Sequence, residues 1–464
     1  MEKSEHPLKK LTAFIEAIKI DKLPQEVRQA ANDCLIDTAG AAIGALDSGE
    51  IPEVLNTMLA YSGSPQTKCP GSSIWGTRHY TSVFQASFLN GTLSHTLELD
   101  DVHTASKTHI GAVVIPAAWS VAEAVNATGI ELIEAIVAGY ETMARIGRGF
   151  GVTEHRLMGW HVTGTAGTFG AAAAAAKLLK LSPEQTLSAL GIAGTQSSGV
   201  WAFLEDGATS KKMHTGRAAE NGVVAAFLAK AGMTGPNHIL DASDGGLYRL
   251  MSSAGDVEQV SNELGTVFEI LRVDKKPYPC CRSIHPAIDA ILSVRKEKCI
   301  ASDQVKRIKI RSYEVGVKQC GVILYPTNVA EAGFSMRYGV AVAYIDGAAG
   351  KEQFSSDRIN DPKVRELAER IDYVADEEFT ARYPKSWGCS VEILFQDGAS
   401  VSRDILDASG SFKSPMTRKQ LEDKFKGLVS NFMEEDEITA VCRNLEKIEQ
   451  TESIAGILSS RKKC

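Results

Sequence analysis

Apolar and small residues fall at Val27, Ala31, Cys34, Leu35 and Thr38 of the segment QEVRQAANDCLIDTAGAAIGA, the spacing of one buried face of a helix, with Pro24 suited to a first turn. Ser182-Pro183-Glu184-Gln185 predicts a helix start in more detail. A serine cap, a proline at the first helical position and a glutamine three residues past the cap precede Leu187 and Leu190. Alanine and glycine crowd the runs Ala171 to Ala176 and Ala218 to Ala229, so neighbouring helix backbones can approach closely. No repeat of roughly 20 to 50 residues appears, which argues against a solenoid.

Beyond about residue 270 the period changes. Val305-Lys306-Arg307-Ile308-Lys309-Ile310-Arg311 alternates as a half-buried strand does, and Asp397-Gly398 separates two strand-like runs between Val391 and Val401, a hairpin signal. Helical spacing runs through Ala287 to Lys296 and Ser335 to Tyr344. It returns from Thr417, where Thr417 and Gln420 form a possible capping box ahead of Leu421, Phe425, Leu428 and Val429. The pattern predicts a mostly α protein: a helical domain over residues 1–268, a smaller α+β domain over 269–405, and a helical tail over 406–464 that rejoins the first bundle.

A chain of 464 residues, 44% hydrophobic and 23% charged, can bury a large core. Its formal charge of -7 gives no basic field for a phosphate backbone, and 7% aromatic residues are few for stacking bases, so nucleic-acid binding is not expected. The apolar stretches Gly111 to Val125 and Gly170 to Leu179 are interrupted by Glu123 and Lys177 and are too short to span a membrane, and the first residues lack a signal-peptide core. A soluble, cytoplasmic protein is expected. The nine cysteines are odd in number and include no CxxC pair, which predicts reduced thiols. No Walker A motif, GxGxxG after a strand, HExxH or GxSxG occurs, so no cofactor is expected.

Nine of the ten histidines lie between His79 and His285. Four of them, His109, His161, His214 and His285, stand just ahead of predicted helices, with glycine soon after the first three and proline after the fourth. Helix starts offer free N–H groups and a positive dipole end, and glycine admits a ligand to that backbone, so converging starts suit a polycarboxylate. Histidine titrates near neutrality and is a candidate acid or base, although any one such residue is more often a cap or a core group. A second cluster, His95-Thr-Leu-Glu98-Leu-Asp100-Asp101-Val-His103, allows a polar-loop reading, a metal reading or acid/base chemistry without metal; its spacing matches no closed ligand set, and of the two chemical readings the last is favoured. Lys211, in a Lys-Lys pair beside His214, can bind a substrate carboxylate. Pro279-Cys280-Cys281-Arg282 can supply a thiol or a guanidinium fork.

At these residues the sequence resembles the MmgE/PrpD family, which includes 2-methylcitrate dehydratase, cis-aconitate decarboxylase and iminodisuccinate epimerase. The resemblance runs nearly end to end through Ile74-Trp75-Gly76, Phe88 to Gly91, His95 to Asp101, His109-Ile-Gly111, Gly159-Trp160-His161, Lys211 to Gly216, Pro279 to His285 and Glu331 to Tyr338. It implies a helical domain built from the N-terminal part and the C-terminal tail, an inserted α+β lid over the active site, and a homodimer without metal or organic cofactor. Two positions depart from the decarboxylase pattern. Glu98 stands where those enzymes have aspartate, and Cys281 where they have a histidine thought to move a proton. The Gly-Trp-His and Lys-x-Met-His-Thr-Gly wording looks closer to iminodisuccinate epimerase.

Together these readings assign His109 and His161 as an acid/base pair, Lys211 and Arg282 as carboxylate binders, and Asp100 or Asp101 as the group that orients a histidine or accepts a proton. Glu98, His103, His214, Cys281 and His285 are further expected substrate contacts. The expected function is a cofactor-independent hydro-lyase acting on a small di- or tricarboxylate. The alternatives are an epimerase of an iminodisuccinate-like acid, a cis-aconitate-type decarboxylase, a metal hydrolase and a catalytically silent binding protein.

Overall fold

The computed structural model describes residues 5–62, 71–297 and 300–461, which form a mostly helical molecule. The caps act where the sequence places them. The Gln185 N–H donates to Ser182 Oγ while the Ser182 N–H donates to Gln185 Oε1, closing the box that starts the helix Pro183–Gly194. Thr417 and Gln420 do the same for Arg418–Val429. At Gln25–Ile43 the proline serves as the cap itself rather than sitting inside the first turn.

Two hydrophobic cores divide the chain. One gathers residues from Leu8 to Val273 and again from Leu421 to Leu458; the other gathers residues from Cys280 to Phe395. In the first, the helices Val83–Thr96, Gly111–Ala124, Gly129–Gly149, Val162–Leu178 and Lys211–Lys230 pack on one another, with all six alanines of Ala171 to Ala176 buried. Small residues set their spacing. A Cβ on Gly216 would collide with the Phe88 carbonyl and the Thr92 hydroxyl, and one on Gly91 would lie 2.8 Å from the Gly216 Cα. The tail closes on Gln25–Ile43 through Phe425, and Lys424 Nζ donates to Asp37 Oδ1 at 2.7 Å.

The second core is built on a four-stranded sheet in the order Ile371–Ala375, Val305–Ser312, Cys389–Phe395, Ser400–Ile405, the first pair parallel and the others antiparallel. A bulge between Val305 and Arg307 explains why Val305 and Ile308, three apart, are both buried: the extra residue shifts the alternation by one. The expected hairpin closes over Gln396 to Gly398, with Gly398 at φ 88, a conformation that favours glycine. Helices His285–Glu297 and Met336–Asp346 complete this core.

Six cysteines, Cys34, Cys280, Cys281, Cys320, Cys389 and Cys442, are free thiols; Cys69, Cys299 and Cys464 lie outside the described residues. Among the described residues no helix is long and apolar enough to cross a membrane.

The close crossing at Gly91 and Gly216 holds the helix that carries His95 against the one that begins at Lys211. Gly216→Ala is expected to lose about 1–3 kcal/mol by overpacking, read as a lower urea midpoint. An unchanged midpoint would show that this crossing does not set the helix spacing.

Candidate active site

The helix Val83–Thr96 carries His95 in its last turn, and the chain then bends through Glu98, whose φ of 53 is a left-handed conformation that a glutamate adopts only when its surroundings hold it there. The strand Val102–His103 pairs antiparallel with Val273–Asp274, which brings Lys276 in from a distant part of the chain. The outcome is a buried charge network. Glu98 Oε1 forms an ion pair with Lys211 Nζ, and Glu98 Oε2 lies 3.2 Å from Lys276 Nζ, which also donates to the Glu98 carbonyl at 3.0 Å. Lys276 is completely buried.

Lys211 Nζ also lies 2.8 Å from His95 Nε2. An ammonium group can only donate, so Nε2 must accept, and the ring proton sits on Nδ1, which donates to Asp100 Oδ2 at 2.7 Å. The same carboxylate oxygen lies 3.0 Å from His109 Nδ1, off the line of a good hydrogen bond. Asp100 therefore faces two imidazoles, with Lys276 Nζ 3.9 Å from its other oxygen. His161, the cap of Val162–Leu178, stacks on His95 with ring centres 6.3 Å apart, and its Nδ1 lies 3.0 Å from His214 Nδ1.

Burial pushes the pKa of both acids up, but at Glu98 the ammonium groups of Lys211 and Lys276 outweigh it and hold the carboxyl well below the usual range. At Asp100, His95, His109 and Lys276 do the same. For the imidazoles burial works toward the neutral form. His109 is pulled down to about 4 despite Asp100, His214 to about 4, and His161 well below its ordinary value with Lys211 adding to the effect. The Cys281 thiol moves down to about 7, first through its hydrogen bond with Cys320, with burial opposing and the Ser283 N–H and Lys276 assisting.

Several of these groups border a cavity of about 640 Å³ counting its open mouth. Glu98, His109, His161 and Lys211 line it from the first body; Cys281, Gln319, Phe334 and Tyr383 line it from the second. Three helix starts deliver this set: Gly111–Ala124 follows His109, Val162–Leu178 follows His161, and Lys211 is the first residue of Lys211–Lys230. The expectation that a helix starts after His214 is corrected, since His214 lies inside that helix and backs His161.

Hydrogen bonding gives four of the expected site residues partners within the protein. Asp101 is buried as the acceptor for the Gly111 N–H at 2.8 Å and the Tyr140 hydroxyl at 2.6 Å, so it anchors the helix start rather than facing the cavity. His103 is held by Ser106 at 2.7 Å and Glu269 at 3.0 Å. Arg282 lines the cavity, and its guanidinium also bonds Asp274, His285 and the carbonyls of Ala408 and Ser409. His285 is buried between Arg282 and the Cys280 carbonyl.

Lys107, Arg156, Lys276 and Tyr383 escaped sequence reasoning. A Lys-Lys pair before Pro277 reads as a surface dipeptide until the strand pairing at Val273–Asp274 shows where it goes.

His95, Asp100 and His109 place one ligand atom each within 4.8 Å, as do His6, His238 and Asp241 near the surface. In the first set the separations of 2.7 and 3.0 Å are those of groups in direct contact, and Lys211 and Lys276 bring positive charge against it. That donor set suits proton transfer better than a divalent ion.

The MmgE/PrpD N-terminal domain matches residues 9–260, and the MmgE/PrpD C-terminal domain matches residues 278–447. The chain belongs to the MmgE/PrpD family. Among its relatives, the human cis-aconitate decarboxylase is 28% identical over 96% of this chain and 92% of its own length. The cis-aconitate decarboxylase-like protein oryM of Aspergillus oryzae is 26% identical over 97% and 96%. A mitochondrial 2-methylcitrate dehydratase of Yarrowia lipolytica is 23% identical over 83% and 76%. The MmgE/PrpD fold in this chain thus carries a site rich in lysine and neutral imidazole.

Breaking the central ion pair should be costly. Glu98→Gln leaves Lys276 buried without its main partner and is expected to lose about 3–5 kcal/mol in urea unfolding, much of it regained in Glu98→Gln/Lys276→Met. A single variant as stable as the parent protein would contradict the network.

Proposed function

We propose that the protein is a cofactor-independent lyase of the dehydratase type, acting on a citrate-like di- or tricarboxylate by moving a proton at a carbon next to a carboxylate. The observation that carries this reading is that His161, Cys281 and Lys211 line one cavity, with burial and the Lys211 charge favouring the neutral imidazole. Lys211 spends two of its three N–H groups on His95 and Glu98. The third is free for a substrate carboxylate, where a fixed positive charge stabilises the negative charge that develops as the neighbouring C–H bond breaks.

In that reading the free nitrogen of His161 takes the proton, the electron pair forms the new C=C bond, and the C–O bond to the hydroxyl breaks as Cys281 donates a proton to it, releasing water. His109, with its Nδ1 3.0 Å from the Asp100 carboxylate, is the second base at hand. Relatives named as a dehydratase and as cis-aconitate decarboxylases support a citrate-like substrate. The second body, with Phe334 and Tyr383 against the cavity, serves as a lid that limits water. An epimerase is the second reading. His161 and Cys281 reach the cavity from different bodies, one suited to take a proton and the other to give one, as inversion at a single carbon requires.

The test is NMR in deuterated water with citrate, 2-methylcitrate, cis-aconitate and an iminodisuccinate-type acid. Loss of water, with a new alkene signal, is expected, and His161→Ala should slow it by roughly 10²–10⁴-fold. Deuterium exchange with inversion and no alkene would move the assignment to epimerase, and release of carbon dioxide to decarboxylase. Silence across all four would contradict the proposal.

A further inference from the structure

Most of the buried cations around the cavity have an acid: Lys211 has Glu98, Lys276 has Glu98 and Asp100, and Arg282 has Asp274. Two cavity-lining cations do not. Lys107 Nζ is shielded from solvent with no hydrogen-bond partner and lies 4.5 Å over the ring of Tyr383. The Arg156 guanidinium lies 4.0 Å over the ring of Trp201, and among the described residues no carboxylate forms an ion pair with either group. An arginine stacked by its face keeps its N–H edge available, the edge that forks a carboxylate.

We propose that Lys107 and Arg156 form a second carboxylate subsite, apart from the Lys211 end of the cavity, so that the substrate must carry at least two carboxylates. This rests on the reading of the protein as a citrate-like acid enzyme and specifies which acids it takes. Lys107 is fixed in place by a backbone at φ 57, a conformation lysine seldom adopts. Tyr383 and Trp201 wall the pair on their apolar faces, so a carboxylate that reaches it leaves water and meets both charges. Burial, with Arg156 next in effect and Glu154 opposing, already draws the Lys107 amine down to about 8, as befits a cation lacking an anion. Neither residue touches His161, Cys281 or Lys211 in any hydrogen bond or ion pair among the described residues, so replacing them leaves the proton-transfer groups in place.

The experiment is calorimetric binding of tricarballylate, glutarate and butyrate, which carry three, two and one carboxylates, to the full chain and to Lys107→Met and Arg156→Met, with circular dichroism and thermal midpoints confirming that each variant folds. Tricarballylate should bind the parent protein and weaken at least tenfold in each variant, while butyrate binding stays unchanged; Arg156→Lys should recover part of the loss. If the variants bind tricarballylate as the parent does, the subsite is wrong and the functional proposal stands. Weakened binding in the variants with no turnover of any acid by the parent would support the subsite and remove the lyase reading. If the parent binds none of the three acids, both fall.

Discussion

The carboxylate of Glu98 sits between two ammonium groups, Lys211 from the start of one helix and Lys276 from the chain entering the second body, and the rest of the site is arranged around that contact. A buried charge left alone is expensive, and each of these three groups is tolerable only because the other two are present. The network therefore ties together three segments that are far apart in sequence. It also decides protonation nearby: Lys211 fixes the tautomer of His95, His95 binds Asp100, and Asp100 faces His109.

Packing supplies the precision this needs. The helices that present His95, His161 and Lys211 approach so closely that glycine is required at their crossings, and a shift of one would move a charged group away from its partner. Because the second body contributes Cys281, Phe334 and Tyr383, the cavity exists only where the two cores meet. Its positive groups are divided between those paired with Glu98, Asp100 and Asp274 and two, Lys107 and Arg156, that pair with no carboxylate among the described residues.

Local features of the fold were legible in the sequence because they depend on near neighbours. The capping boxes at Ser182 and Thr417, the strand at Val305 and the hairpin at Gly398 follow from residue type and spacing within a few positions. The crowding of histidine pointed to the right region, and His109, His161 and Lys211 do share a cavity. Yet density of polar residues does not tell a group that faces a ligand from one that holds up its neighbour. Asp101, His103 and His285 are held by neighbours, and their partners Tyr140, Glu269 and Cys280 are set by tertiary contacts that no local spacing encodes. Lys276 was invisible for the same reason, since its role exists only through a strand pairing across the chain.

The central claim is that burial among cations keeps His109 and His161 neutral, so that they are bases at working pH. Nitrogen-15 NMR of the imidazole rings, assigned with His109→Gln and His161→Gln spectra and followed from pH 8 to 5, tests it directly. Both rings should keep the nitrogen shifts of neutral imidazole throughout that range, His109 beginning to protonate only toward pH 4. Titration of either ring near the ordinary value of about 6.5 would contradict the account.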